Sequence, residues 1–172
     1  MRGYQSDSMR DLEAPPSRVL IWSTLLLAML LNLLPYPDGW FVYKPDFMAL
    51  LIVFWLFRAR EAIGYTAAFA LGLLTDVAYT STLGQHSFAY AVLVLIADFL
   101  RNSYVIAGRL QQCVFVIIAL GAALAASLSV SVVFDNAVAS SGDLLPALFG
   151  GLLWLLLPML LRPAYHWTAA RR

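Results

Sequence analysis

Six apolar stretches divide the chain, at about residues 19–34, 47–57, 62–79, 87–100, 113–134 and 144–161, with short polar gaps between them. The gaps alternate in charge. Every arginine lies in the N-terminal tail (Arg2, Arg10, Arg18), the Arg58/Arg60 turn, the 101–109 connection (Arg101, Arg109) or the C-terminal tail (Arg162, Arg171, Arg172). The other gaps hold Lys44 as their one cation, beside Asp38, Asp46, Asp135 and Asp143. Basic loops stay on the cytoplasmic side during insertion, so the alternation predicts topology as well as class. The expected fold is all-α: an integral membrane protein built as a six-transmembrane-helix bundle, with both termini in the cytoplasm. Residues 1–18 are expected to form a cytoplasmic tail, 19–162 the six-helix domain and 163–172 a short basic cytoplasmic tail.

A hydrocarbon core takes roughly 20 helical residues to cross, and several stretches fall short of that. The second is purely apolar only over 47–57. Extending it outward brings in Lys44, Pro45 and Asp46, polar groups that must be buried in protein or sit at the outer interface. An irregular lead-in at Lys44-Pro45-Asp46 is therefore predicted, with Asp46 capping the next helix. The third and fourth stretches contain Asp76 and Asp98. Their shortness predicts helices shielded by neighbours or a locally thinned bilayer. The fifth is long and uncharged, with Ser127, Ser129 and Ser131 in its outer half. The sixth carries Gly150-Gly151 and Pro158 and is expected to stop at Arg162-Pro163. The first outer loop, Pro35-Tyr36-Pro37-Asp38-Gly39-Trp40, combines turn formers with interfacial aromatics.

Composition narrows the class further. Hydrophobic residues make up 62% of the chain and charged residues 12%, against roughly a quarter charged in soluble domains. With a mean hydropathy of +0.78 there is too little polar surface to cover a water-soluble globule. No gap is long enough for a separate soluble domain. A net charge of +1 gives no reason to expect a nucleic-acid partner. Cys113 is the only cysteine, so neither an intramolecular disulfide nor a thiolate cluster is possible, and a packing role is expected. The first apolar run lacks a small-x-small cleavage site and is not read as a removable signal.

Chemistry-bearing patterns are sparse. His86 and His166 are expected on opposite sides of the membrane, so they cannot share a metal or act as a base pair. The chain has no His-Glu-x-x-His pattern, no Gly-x-Ser-x-Gly elbow and no phosphate-cradling glycine loop. Neither an enzyme nor a bound cofactor is expected. Small residues are more informative: Gly64, Ala68 and Gly72 lead at four-residue spacing to Asp76, and Gly121, Ala125 and Ser129 repeat the spacing. Such faces let helix backbones approach closely in lipid. They suit packing within the bundle or docking of another protein. A carboxylate within a span needs a partner, a wet cavity or a proton. Asp76 is thus read first as an acceptor for donors of the Thr80–His86 turn, then as an interaction or ligand-binding group, then as a proton relay. Asp98 is expected to pair with Arg101 three residues on, and Lys44 with Asp46 or Asp76.

Taken together, Leu34-Pro35-Tyr36-Pro37, Tyr43-Lys44-Pro45-Asp46-Phe47, Gly64-x7-Gly72-Leu73-Leu74-x-Asp76 and Ser81-x-Leu83-Gly84 through Phe88 resemble the rod shape-determining protein MreD family. The specific part lies between Leu34 and Tyr90. The last two spans match only as apolar helices with basic ends. Lys44 stands where family members often have Arg, which keeps the charge but not the planar fork. The resemblance implies a non-catalytic inner-membrane scaffold of the bacterial cell-elongation complex. Its implied partners are an MreC-like bitopic membrane protein, through it MreB-like actin filaments, a RodA-type glycan polymerase and a penicillin-binding transpeptidase. The implied arrangement is similar to the substrate-binding subunits of energy-coupling-factor vitamin transporters. That similarity keeps open a solute-binding subunit, with Asp76, Lys44, Trp40 and Tyr43 around a pocket. Candidate partner-binding or structural residues are Lys44, Pro45, Asp46, Gly64, Ala68, Gly72, Asp76, Leu83 and Gly84.

Overall fold

The computed structural model describes residues 16–35, 37, 43–59, 61–134, 136 and 144–169. Tyr36, Asp38, Gly39, Trp40, Arg60, Asp135, Asp143 and the tail residues Arg2, Arg10, Arg171 and Arg172 lie outside these. Six α-helices account for most of the described residues: α1 (Arg18–Leu33), α2 (Phe47–Arg58), α3 (Tyr65–Tyr79), α4 (Gln85–Ile106), α5 (Arg109–Phe134) and α6 (Leu145–Ala169). No strand occurs among the described residues.

The bundle is organised around its shortest helix. α2 has 12 residues, about 18 Å at 1.5 Å per residue. Every residue from Met48 to Leu56 is buried, as a helix apolar on all sides requires. It packs against α1, α4, α5 and α6, while α3 packs on α4, α4 on α5 and α5 on α6. On α1, Thr24 Oγ1 accepts a hydrogen bond of 2.9 Å from Trp55 Nε1, so the buried indole is not left unpaired. Where α2 ends, Phe54, Phe57, Tyr104 and Trp154 form an aromatic cluster, with Phe57 and Tyr104 stacked at 3.9 Å. The Arg58 guanidinium lies 4.3 Å from the centre of the Phe54 ring, a favourable placement of a cation on an aromatic face.

Large apolar side chains also cover the outside. Phe99 is 82% exposed and Ile106 87%, and Leu26, Leu74, Val77, Leu95, Leu152 and Leu160 are exposed as well. Two helices, α4 and α5, are long and apolar enough to cross a membrane, and three more are apolar but shorter: α1, α2 and the Leu145–Leu161 part of α6.

α3 starts at Tyr65 and not at 62, after a turn at 61–63, and helix limits differ further from expectation in three helices. α4 is 22 residues long and continues past the charge at Arg101 to Ile106. Arg101-Asn102-Ser103 ends the apolar run without breaking the helix, because backbone hydrogen bonds do not depend on side-chain polarity. Tyr104 then returns to the core against Phe57. α5 starts at Arg109, one turn before the apolar run. α6 runs on to Ala169 through Arg162 and Pro163: proline's fixed φ is compatible with a helix, and the one backbone hydrogen bond it gives up does not end this one.

Candidate functional site: a polar cavity at the start of the buried helix

The basic ends of the helices gather at one end of the bundle: Arg18 opens α1, Arg58 closes α2, and Arg101 and Arg109 flank the α4–α5 turn. Buried polar groups gather at the other. The last turn of α1, the first of α2, the last of α3 and the first of α4 meet there around a cavity of about 260 Å³. Its walls combine Asn32, Lys44, Asp46, Tyr79, His86, Tyr90 and Ser127 with aliphatic groups such as Leu120, Leu124 and Pro146.

The lead-in Lys44-Pro45-Asp46 is non-helical, as its composition predicts. Asp46 caps α2: its Oδ1 accepts from Met48 N at 3.0 Å and Ala49 N at 3.1 Å, two of the donors a helix start leaves open. The same oxygen accepts from Asn32 Nδ2 at 2.8 Å, and Oδ2 accepts from Tyr90 Oη at 2.8 Å. Asn32 Oδ1 in turn accepts from Phe47 N at 3.1 Å. The carbonyl of Asn32 receives the Tyr79 hydroxyl at 2.7 Å and the Lys44 ammonium. Lys44 Nζ also lies 5.8 Å from the Tyr79 ring centre. Partial burial pulls the Lys44 ammonium below its ordinary pKa, opposed by the Asp46 carboxylate nearby. Pro45 packs toward α6, where Gly150 leaves space: a Cβ there would sit 3.6 Å from Pro45 Cβ and 2.7 Å from Leu120 Cδ1.

Asp76 anchors a second network beside the first. It is 1% exposed. Oδ1 accepts from His86 N and His86 Nδ1, both at 2.8 Å, and from Ser81 Oγ at 3.2 Å. Oδ2 accepts from Gly84 N at 2.9 Å, Ser87 Oγ at 3.2 Å and Ser87 N at 3.4 Å. The carboxylate therefore binds the first turn of α4 and the turn before it, the structural acceptor role foremost in the sequence reading. Two left-handed residues let the chain make that turn: Thr80 (φ 51°) ends α3, and Gly84 (φ 99°) precedes α4. Only glycine holds the second at little strain. On the far side, Gln85 Nε2 donates to Ser127 Oγ at 2.9 Å, tying α4 to α5.

The trio of Asp76, His86 and a serine invites comparison with a nucleophilic relay, and the bonding argues otherwise. Ser81 and Ser87 both donate to the carboxylate, and His86 meets it through Nδ1. A relay would need the serine proton to pass to the other ring nitrogen. Six donors on one carboxylate make a rigid anion cradle instead.

The structure separates the sequence candidates. Lys44, Pro45, Asp46, Asp76 and Gly84 belong to the two networks around the cavity. Gly72 belongs there through packing: a Cβ on it would fall 2.4 Å from Ser87 Cα and 2.7 Å from the His86 carbonyl oxygen. Its side of α3, with Ala68 fully buried, is thus filled by α4 and is not an open docking face. Gly64 caps the opposite end of α3 with nothing within 4 Å of a Cβ, and Leu83 is 72% exposed on the turn. The other stripe differs. Gly121 has open space at its Cβ position, and Ala125 and Ser129 are exposed. Cys113 packs internally, with Sγ donating to the Gly151 carbonyl at 2.9 Å.

Asn32, Tyr79, His86, Ser87 and Tyr90 were not among the sequence candidates. Asn32 had a readable signal, being the one amide in the first span, where a buried amide demands partners. His86 was readable only as the last residue of the Thr80–His86 donor turn, and Tyr79, Ser87 and Tyr90 had no signal stronger than their residue type.

The profile of the rod shape-determining protein MreD family matches residues 17–164. The rod shape-determining protein MreD of Haemophilus influenzae is 33% identical over 73 residues, which are 40% of this chain and 45% of that protein. The match thus spans less than half the length of this curated relative. No solved structure matches.

Proposed function

Since the chain belongs to the MreD family of rod shape-determining proteins, we propose that it acts as a six-pass inner-membrane scaffold of the cell-elongation machinery. Family membership supports a role in rod shape determination. Beyond it, the reading is that the chain docks an MreC-like bitopic membrane protein and helps couple peptidoglycan synthesis to cell shape. MreB-like filaments, a RodA-type polymerase and a penicillin-binding transpeptidase would be reached through the same complex.

The membrane assignment rests on the apolar exterior and on the segregation of charge. Arginines cluster at one end of the bundle, the expected cytoplasmic side, and the polar cavity opens at the other. The short α2 is surrounded by protein, so its about 18 Å need not cross lipid alone. Residues 1–18 and 163–172 are then cytoplasmic flanks of the 19–162 domain. The observation that carries docking is the open small-residue face of α5, Gly121-Ala125-Ser129, on the outside of the bundle. A partner's single span would lie against that face, and its outer juxtamembrane part would meet the polar cavity. No nucleic-acid contact and no cofactor enter this scheme.

Co-purification from cell membranes tests it. Recovery of an MreC-like protein with the tagged chain is the expected result. A preparation that retains neither that protein nor a glycan polymerase, from cells expressing both, contradicts the reading. The cavity also favours a second reading, a solute-binding subunit like those of vitamin transporters, with Lys44 facing the ligand. That reading requires thermal stabilisation by a vitamin-sized solute, and a screen without any shift removes it.

A further inference from the structure

Four hydrogen bonds from three parts of the chain converge on one residue near the cavity. Asn32, 4% exposed at the end of α1, donates from Nδ2 to Asp46 Oδ1 at 2.8 Å and accepts at Oδ1 from Phe47 N at 3.1 Å. Its main-chain carbonyl holds Tyr79 Oη at 2.7 Å and the Lys44 ammonium. The side chain thereby closes the base of the loop between α1 and α2. It ties the loop's near end to the far end, where Lys44 and Asp46 form one wall of the cavity.

We propose that Asn32 is a positioning residue: it clamps the Lys44-Pro45-Asp46 lead-in so that the ammonium and carboxylate face the cavity in one fixed arrangement, the one a docked partner meets. The partner clause rests on the scaffold reading above; the clamp itself does not. The amide suits the task because it donates to a carboxylate and accepts from a backbone N–H at the same time. A carboxylate there would oppose Asp46, and an apolar side chain would leave both bonds unmade.

Lys44 is the only lysine in the chain, which allows a direct test. The full chain in lipid nanodiscs is treated with a water-soluble amine acylating reagent, and modification at Lys44 is followed by mass spectrometry. In parallel, capture of the MreC-like partner is titrated. Asn32→Leu removes both side-chain hydrogen bonds and should raise the Lys44 acylation rate about tenfold and weaken capture by a similar factor. Thr24→Val is the control for simple destabilisation. It removes the acceptor of the buried Trp55 bond between the same two helices and should leave labelling and capture unchanged. Should Asn32→Leu not fold, Asn32→Asp keeps the size and the Phe47 acceptor, loses the donor to Asp46, and should raise labelling likewise.

Unchanged acylation in a folded Asn32 variant overturns the clamp. Faster acylation with unaltered capture overturns its link to the partner. Equal increases in Thr24→Val overturn the positioning role in favour of general loosening. If the wild-type chain captures no partner, the scaffold reading fails, while the labelling still decides the clamp.

Discussion

Ala68 and Gly72 on α3 share their four-residue spacing with Gly121 and Ala125 on α5, yet one face is filled and the other open. On α3 the glycine receives the backbone of Ser87 and His86, closer than any side chain would permit. On α5 the glycine faces empty space. The difference lies in the polar residues at the end of each stripe. The α3 stripe ends in Asp76, whose carboxylate gathers donors from Ser81, Gly84, His86 and Ser87 and draws the start of α4 onto the small-residue groove. α5 ends in serines that bond back to their own helix, Ser129 to Ala125 O and Ser131 to Ser127 O. Spacing provides a groove, and a polar anchor decides whether the chain itself occupies it.

The contrast breaks most sharply at Gly72. Gly72→Leu should prevent accumulation of folded protein, because the obstructing atoms are backbone, and even Gly72→Ala should cost about 3 kcal/mol. Thermal unfolding in detergent checks both. If Gly72→Leu leaves the melting temperature unaltered, the α3–α4 contact is not as close as described. Asp76→Asn replaces one acceptor oxygen with an amide facing donors that remain. A destabilisation of about 2 kcal/mol is expected, read by the same unfolding measurement. Gly121→Leu should be different in kind: folded stability within about 0.5 kcal/mol of wild type, with partner capture reduced about tenfold, or 1.4 kcal/mol. Loss of folding in this variant would mean the α5 stripe is also filled. Cys113→Ser retains the donor to the Gly151 carbonyl and should change stability by about 1 kcal/mol or less, with capture unaffected.

Much of the helical layout was legible because hydrophobicity and proline placement act locally. The irregular Lys44-Pro45-Asp46 lead-in and the Asp46 cap arise from residues within one turn of each other. Asp76 was legible as an acceptor because burial of a carboxylate dictates donors, and the turn after it supplies them. The convergence at the cavity was not legible. Asn32 meets Asp46 across 14 positions and Tyr90 meets it across 44, so no local pattern encodes these contacts. Likewise α4 outlasts its apolar run because Tyr104 finds Phe57 and Trp154 on other helices. Which small-residue face stays open was equally beyond spacing, since filling depends on the tertiary reach of Asp76.

In the scaffold reading it is α5, rather than α3, that offers the outer face of the bundle to a single-span partner. A photoreactive residue placed in living cells at Ala125, exposed on the α5 stripe, and separately at Phe69, 48% exposed on α3, reads this directly. Irradiation should yield an adduct with the MreC-like protein from position 125 and little or none from position 69. An adduct from position 69 alone, or none from either in cells that express both proteins, contradicts it.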